Sequence, residues 1–554
     1  MTLRASKLAV SLIVFFATTA AYAQFGISPS QTSSYFDDFR GRASHMQQAG
    51  SGVRSGDVVY DYDSGTYKGA DGESQMRPED LLREARSIAQ PSVNSGSGAV
   101  ASRAVGDYTN YSGQYTSSTG YFAPTYTSDP FLSGRRNLKL GPVNVGLGLY
   151  QGLEWNSNIN RASGNARLSD FISTTLFNVD ANYRVTKNNV LSLTTSFGFD
   201  HYFSNPQASP YGGGNMVLNI LPGSTLAFDM KIGPVYVTLY DRVAVRPAVS
   251  NAFTLNTQNI FGVFQNDLGA VMNWAVNSKW TASLSFNNSY ANSLDGRFDI
   301  YNRIINTISG NITYSPHGTW SAGIESSYSS LRYEQPALND GDTFTLGAFF
   351  RTQLGSATYL KMAAGYQGMQ FSKPTTLLAP AIGDFNDLDD YYFNFSITNQ
   401  INNRLSHTLS LGHESALNLT SNFITADYIN YGVSIITSKG GRLSLTGYYE
   451  DATPSSERNQ SSIRQYGLDA YYSHQITSKV RMGLGYHYGH SAPPDASIFP
   501  GQGFDQHAFN VDFGWALTQK SSINMGYRYF TTRADNSGLN FDQHRVILGY
   551  TYNF

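Results

Sequence analysis

The sequence holds no cysteine and little charge: Asp, Glu, Lys and Arg make up 14% of its 554 residues, where an average soluble domain carries roughly 25%. Without cysteine there is no disulfide framework, no thiolate metal site, no cysteine nucleophile and no lipid-modified N-terminal cysteine. A net charge of -2 leaves no basic footprint for nucleic acid. Long hydrophobic runs are also missing. Beyond the first 17 residues no segment approaches about 18 uncharged apolar positions, so no transmembrane helix is expected. What is abundant is Gly (52), Tyr (38) and Phe (33), and that aromatic load excludes wholesale disorder.

The N-terminus reads as an export signal. Arg4 and Lys7 precede an apolar stretch from Leu8 to Ala17, and Ala21-Tyr22-Ala23 offers the small residues of a cleavage site. Residues 1–23 are therefore expected to be a signal peptide and the mature chain to be exported. Residues 24–140 are poor in aliphatics and rich in Gly, Ser, Gln and Tyr, which predicts a largely flexible extension. Within it, Arg77-Pro78-Glu79-Asp80 followed by Leu81, Leu82, Ala85, Ile88 and Ala89 predicts a short amphipathic helix closed by Pro91. Such a helix is expected to be transient within a tail; the alternative is that it docks in a barrel mouth or on a periplasmic partner.

From residue 141 onward the pattern changes to strict alternation. Val480, Met482, Leu484, Tyr486 and Tyr488 share one face, opposite Arg481, Gly483, Gly485 and His487. Phe509, Val511, Phe513, Trp515 and Leu517 oppose Asn510, Asp512, Gly514 and Ala516. Val546, Leu548, Tyr550, Tyr552 and Phe554 oppose Arg545, Gly549, Thr551 and Asn553. A repeat of two is the strand period, and helical spacing would mix these sets. Short turns recur at Lys187-Asn188-Asn189, Gly233-Pro234, Asn277-Ser278-Lys279, Pro316-His317-Gly318, Gly355-Ser356, Asn402-Asn403, Ser438-Lys439-Gly440, Thr477-Ser478-Lys479 and Thr518-Gln519-Lys520. Their spacing fits two strands plus one longer loop, giving about 20 strands, or 18 to 22 given faint boundaries around Leu153 and Leu221.

A β-propeller would repeat a motif in every blade, and none is present. A soluble sandwich of this size would need linkers, and none is present either. Lipid demands that every backbone group be paired, so an exported chain of this pattern should form an all-β transmembrane antiparallel barrel over residues 141–554. Trp274, Trp280, Trp320 and Trp515 all stand close to short turns. Tryptophan favours the membrane interface, so these four should form an aromatic girdle at the periplasmic end.

The alternation ending in Tyr550, Tyr552 and Phe554, together with the cleavable signal, resembles the sorting signal of Gram-negative outer-membrane β-barrel proteins. That resemblance implies location in the cell outer membrane, insertion by the barrel-assembly machinery, and contact with outer-membrane lipid and lipopolysaccharide. The long extension, the many strands and the segments Leu226-Ala227-Phe228-Asp229 and Leu239-Tyr240-Asp241-Arg242 look like β-barrel porins associated with exopolysaccharide export.

If apolar faces meet lipid, the opposite residues line a lumen. Ten bases then point inward or sit at strand ends: Arg184, Lys231, Arg242, Arg351, Lys361, Arg404, Arg442, Arg481, Arg528 and Arg545, the last seven being assigned to the pore lining. Inward acids are Asp180, Asp200, Asp229, Glu325, Glu450, Asp469 and Asp512, and further aspartates gather in the long loops. A pore that is basic at one end favours anions; the alternative is a network of paired charges that stiffens the wall. Asp384 to Asp390 lacks the glycine and final glutamate of an EF-hand loop, so neither metal nor cofactor is expected. His413 and Glu414 are neighbours in a strand and point to opposite faces, and His487 and His490 differ in parity, so both segments, near outer strand ends, read as carrying interfacial or loop histidines rather than catalytic ones. The expected function is a porin-like channel for polar solutes, not an enzyme. The alternatives are the outer-membrane component of an exopolysaccharide exporter, with residues 24–140 contacting periplasmic export components, and a structural or adhesive surface barrel.

Overall fold

The structure is a computed structural model that describes residues 58–61, 66–69, 75–76 and 138–554, apart from 187, 209–213, 250–259, 318, 336–337, 356, 373–385, 418–421, 456–462, 493–502 and 536–539. The signal peptide expected over 1–23, the helix expected over 77–91 and most of the extension lie outside the described residues. Inside the extension, Val58–Asp61, Thr66–Gly69 and Gln75–Met76 pair as a small antiparallel sheet that composition did not suggest.

The alternating region closes into an antiparallel barrel of twenty strands. In chain order they are β1 (Val143–Asn156), β2 (Asp170–Arg184), β3 (Val190–Tyr202), β4 (Met216–Ile232), β5 (Val235–Val249), β6 (Ile260–Ala275) and β7 (Trp280–Ser293). Next come β8 (Arg303–His317), β9 (Trp320–Tyr333), β10 (Gly341–Leu354), β11 (Thr358–Phe371), β12 (Leu388–Asn402), β13 (Leu405–Leu417) and β14 (Phe423–Ser438). The last are β15 (Gly441–Pro454), β16 (Ile463–Gln475), β17 (Val480–Ala492), β18 (Phe504–Ala516), β19 (Ser521–Ala534) and β20 (Phe541–Asn553). Each strand pairs with its sequence neighbours, and every short turn anticipated from the sequence connects two of them.

Closure is made by β20 against β1, from Arg545 opposite Asn156 to Asn553 opposite Gly148. Leu138–Leu140 pairs with Val143–Val145 beyond the end of β20 and so fills its track; Gly141, at φ +60, makes the tight turn between the two. Closure removes the edges that would leave backbone groups unpaired in lipid. The two faces then obey the alternation. Leu153, Phe177, Leu268, Ile324, Leu346, Ile429, Leu468, Phe509 and Leu548 stand exposed on the outside, as an apolar lipid belt requires. Trp274, Trp280 and Trp515 are exposed at the short-turn end. A chain of ring contacts runs there from Trp280 to Tyr314 (4.7 Å), Trp320 (5.8 Å) and Phe350 (6.1 Å). Tyr550 and Phe554 are exposed in the same outer row, and Tyr552 meets Phe554 edge-on at 5.1 Å.

The inner face departs from a polar lining at several apolar clusters, among them Phe349 with Ala363 and Tyr392, and Ala508 with Phe530 and Phe541. At the long-loop end, inward Ile305, Leu331 and Met369 form a buried apolar cluster with Leu417 and Phe423, against which Tyr301, Tyr333, Phe371 and Leu388 pack. This cluster ties together strands β8 to β14 at the mouth.

Glycine and tyrosine are abundant for a shared reason. Inward tyrosine rings lie flat over glycines of the wall instead of projecting across the lumen. A Cβ added to Gly467 would meet Tyr448 Oη at 2.6 Å, one on Gly483 would meet Tyr471 Oη at 2.7 Å, and one on Gly549 would meet Tyr150 Oη at 2.7 Å. Tyr240 crosses Gly269 in this way and donates to Asn287 Oδ1 at 3.0 Å, joining β5 to β7. Tyr392 crosses Gly365 and Gly347 and donates to Glu325 Oε1 at 3.0 Å, joining β12 to β9. Tyr240 and Tyr392 thus strap strands that share no backbone pairing, and the other rings cover glycines of the neighbouring strand.

Filling one of these seats should loosen the wall. In Gly412→Val the new Cβ falls 2.7 Å from both Phe393 O and Tyr428 Oη, so about 1–3 kcal/mol of stability should be lost by overpacking. Outward Gly447 has nothing nearer than 3.9 Å, and Gly447→Val should unfold as the parent does. Urea unfolding monitored by the heat-dependent gel mobility of the barrel compares the two.

Candidate functional site

The inner wall is the surface on which a solute would act, and its polar residues come from every part of the chain. Of the bases assigned to it, Arg351 on β10 and Lys361 on β11 are opposite each other in register, both inward and close to a short turn. The Arg351 guanidinium lies over the ring of inward Phe349, 4.6 Å from its centroid. Arg442 and Arg481 occupy the first inward positions of β15 and β17, again beside short turns. Arg404 departs from its assignment. It sits in the exposed turn between β12 and β13, where its N–H donates to Asn402 Oδ1 at 2.8 Å, so it belongs to the rim rather than to a strand face.

Arg528 and Arg545 are also opposite each other, on β19 and β20. Like charges in that position repel, and each base here has an acid on its far side. Arg545 holds Glu154 of β1 through Nε at 2.6 Å and Nη2 at 2.7 Å, and Arg528 Nη2 lies 3.9 Å from Asp512 on β18. This fork across the seam adds a charge-assisted contact where the first and last strands meet. Elsewhere on the wall, Arg242 lies over Tyr240 at 4.5 Å, and Lys231 lies over Tyr236 at 5.0 Å.

The inward acids are hydrogen-bonded along the wall. Asp200 accepts from Thr174 Oγ1 at 2.7 Å and Asn219 Nδ2 at 2.9 Å, and Asp229 accepts from Thr238 Oγ1 at 2.9 Å. Asp469 pairs with His487 Nδ1 at 2.7 Å. His487 is thus a buried inner-wall residue, which corrects its reading as interfacial: its strand partner Ala508 and the acid beside it all face inward. His413 is outward, held between Asp427 at 2.8 Å and Asp390 at 3.0 Å and stacked on Tyr391. Its neighbour Glu414 is buried on the inner face.

Glu154, Asp267 and Glu414 are inward acids that alternation alone does not assign. Glu154 stands beside a strand boundary that the sequence marks only faintly. Asp267 lies between Asn266 and Leu268, so its strand shows no clean apolar face there, and Glu414 is masked by its pairing with His413. Parity counted from the observed registers recovers all three. With them the charges sort along the axis. Arg351, Lys361, Arg442 and Arg481 lie toward the short turns, and Glu154, Asp200, Glu414 and Glu450 lie toward the long loops. Asp180 and Asp229 near the short turns, and Arg303 and Arg545 toward the long loops, run against the trend. In the aspartate-rich loop, Asp387 Oδ1 accepts from Phe371 N at 2.7 Å, so that carboxylate closes its own loop.

No family model matches the chain, and no curated protein matches it. Among solved structures it is similar to the FrpB iron transporter from Neisseria meningitidis, at 10% identity over 76% of this chain and 82% of that chain, with a TM-score of 0.47. It is similar also to a BenF-like porin from Pseudomonas fluorescens (9%, 74% and 99%, 0.38) and to OccAB3 of Acinetobacter baumannii (10%, 75% and 100%, 0.39). The class rests on the wall itself. A closed antiparallel barrel with an apolar outer belt, exposed tryptophans at its short-turn end and a polar inner face is an outer-membrane β-barrel.

The Glu154–Arg545 fork gives a direct test of how the seam is held. Glu154→Gln leaves the guanidinium with a weaker partner and should cost on the order of 3 kcal/mol, whereas the double change to leucine should recover most of that loss. Denaturant unfolding in lipid vesicles measures both.

Proposed function

We propose that this protein is a channel of the outer membrane that passes polar solutes, with a preference for anions set at its short-turn end. The observation that carries this reading is the axial sorting of charge on the inner wall. Arg351, Lys361, Arg442 and Arg481 stand within a few residues of that rim on four strands, while the acids Glu154, Asp200, Glu414 and Glu450 stand toward the other. Fixed charge beside a low-dielectric wall focuses field along the axis and biases which ions enter. The flat seating of tyrosines over glycines supports the same reading, since rings held to the wall leave its centre clear of them. The outer belt suits the barrel to outer-membrane lipid and lipopolysaccharide, and Tyr550, Tyr552 and Phe554 are the residues proposed to present it to the assembly machinery. No inner-wall group is given a catalytic role.

Conductance in planar bilayers tests the proposal. The full-length protein should give open steps whose reversal potential in a salt gradient is that of an anion-preferring pore. The variant carrying Arg351→Gln, Lys361→Gln, Arg442→Gln and Arg481→Gln should conduct with that preference lost or reversed. Conductance that appears only after residues 24–137 are removed would instead favour a gated exporter, the second function expected from the sequence. Silence in both forms would leave no transport reading standing.

A further inference from the structure

One sector of the outer face breaks the lipid rule. Asp241 on β5 is opposite Leu268 on β6, which is opposite Asn288 on β7, which is opposite Asn306 on β8. Leu268 projects from the barrel with 52% of its surface exposed, so the whole row points outward. Asn266, two residues from Leu268, is outward as well and donates through Nδ2 to Asp241 Oδ1 at 2.5 Å. Asn288 Nδ2 donates to Asn306 Oδ1 at 2.7 Å. On β15, β18 and β20, elsewhere in the barrel, the outward positions include Leu443 and Leu445, Phe509, Val511 and Phe513, and Val546 and Leu548.

Depth makes the carboxylate costly. Val235 begins β5 opposite the girdle residue Trp274, and Asp241 lies within the span of about ten residues that a strand needs to cross the hydrocarbon. Its outward surroundings are Leu226, Leu239, Val243 and Leu268. Hydrocarbon offers no donor, and Asn266 is the hydrogen-bond partner of this carboxylate among the described residues. A second outward polar spot differs in kind. Gln151 is saturated by Ser173 at 2.9 Å and Thr175 at 2.7 Å, and it carries no charge.

We propose that the outward face of β5 to β8 is an interface with a second copy of this chain within the membrane. A symmetry axis normal to the bilayer keeps depth unchanged, so a copy brings its own Asn266, Asn288 and Asn306 to the height of Asp241. An isologous contact then sets acceptors of one protomer against amide donors of the other. An unrelated partner would have to match that depth by chance. Small outward residues Ala270, Ala282 and Gly310 alternate with the larger Leu284 and Phe286 beside the row, and polar side chains join such faces in lipid. Toward the long-loop end, outward Ile220, Val243, Val245 and Phe264 pack into one cluster with Tyr290, and a bulge between Ile220 and Ser224 bends β4 beside it. The inference rests on the barrel being in a membrane and not on the channel reading.

The absence of cysteine makes the test direct. Ala270→Cys, treated with a flexible bismaleimide in native outer membranes, should give a product of twice the chain mass. Leu468→Cys, outward on β16, should give about tenfold less. Adding Asp241→Leu, Asn266→Leu, Asn288→Leu and Asn306→Leu to Ala270→Cys should lower the product about tenfold while the heat-dependent mobility of the folded barrel persists. If that variant does not fold, Asp241→Leu alone is read in the same way. Equal crosslinking from both positions, a product with the mass of a different protein, or full crosslinking without the polar row would each overturn the interface.

Discussion

Everything in this molecule depends on the pairing of backbone groups in a medium that will not pair them. Hydrocarbon leaves each free N–H or C=O uncompensated at several kcal/mol, so a sheet in a membrane has to close. Here closure joins β20 to β1, and Leu138–Leu140 extends the track where β20 ends. Once the ring is closed, strand period assigns every side chain to lipid or lumen, and a register slip of one residue would exchange the two sets. The wall is therefore specified twice, by its hydrogen bonds and by the chemistry of its faces.

A polar inner face sets its own packing rule. Long side chains there pack along the wall. Tyr240 and Tyr392 reach across glycines to acceptors two and three strands away, and Arg545 reaches the carboxylate of Glu154 across the seam. The tyrosine straps couple strands that are not hydrogen-bonded neighbours. They replace part of the stiffness that a soluble barrel draws from a packed interior.

How much of this is legible in the sequence depends on the same period. Alternation places residues such as Arg481, Arg528 and Trp515 on their faces without a structure, and the turn spacing sets the strand number. Arg404 escapes it because a turn residue has no parity to count. His487 reads as interfacial because its segment stands near the outer end of a strand, although its own parity is inward. The inward cluster of Ile305, Leu331 and Met369 stays hidden because an apolar residue in such a pattern is expected only outside. Composition reports how much apolar surface there is, and only register reports which side it covers.

Charge on the two faces obeys different rules, and the difference separates what a wall needs from what a function needs. An inward base can stand opposite another base, as Arg528 does opposite Arg545, provided that acids on the next strands lie within reach. Such a network is non-additive, because removing one charge changes the partners of the rest. Outward charges at the long-loop rim, such as Arg332 with Asp342, also find partners. Asp241 sits deeper, with a neutral amide as its partner and leucines around it, so the barrel alone does not explain it. The inner charges would stiffen the wall whatever passes through it. A carboxylate facing lipid is meaningful because nothing in the wall requires it.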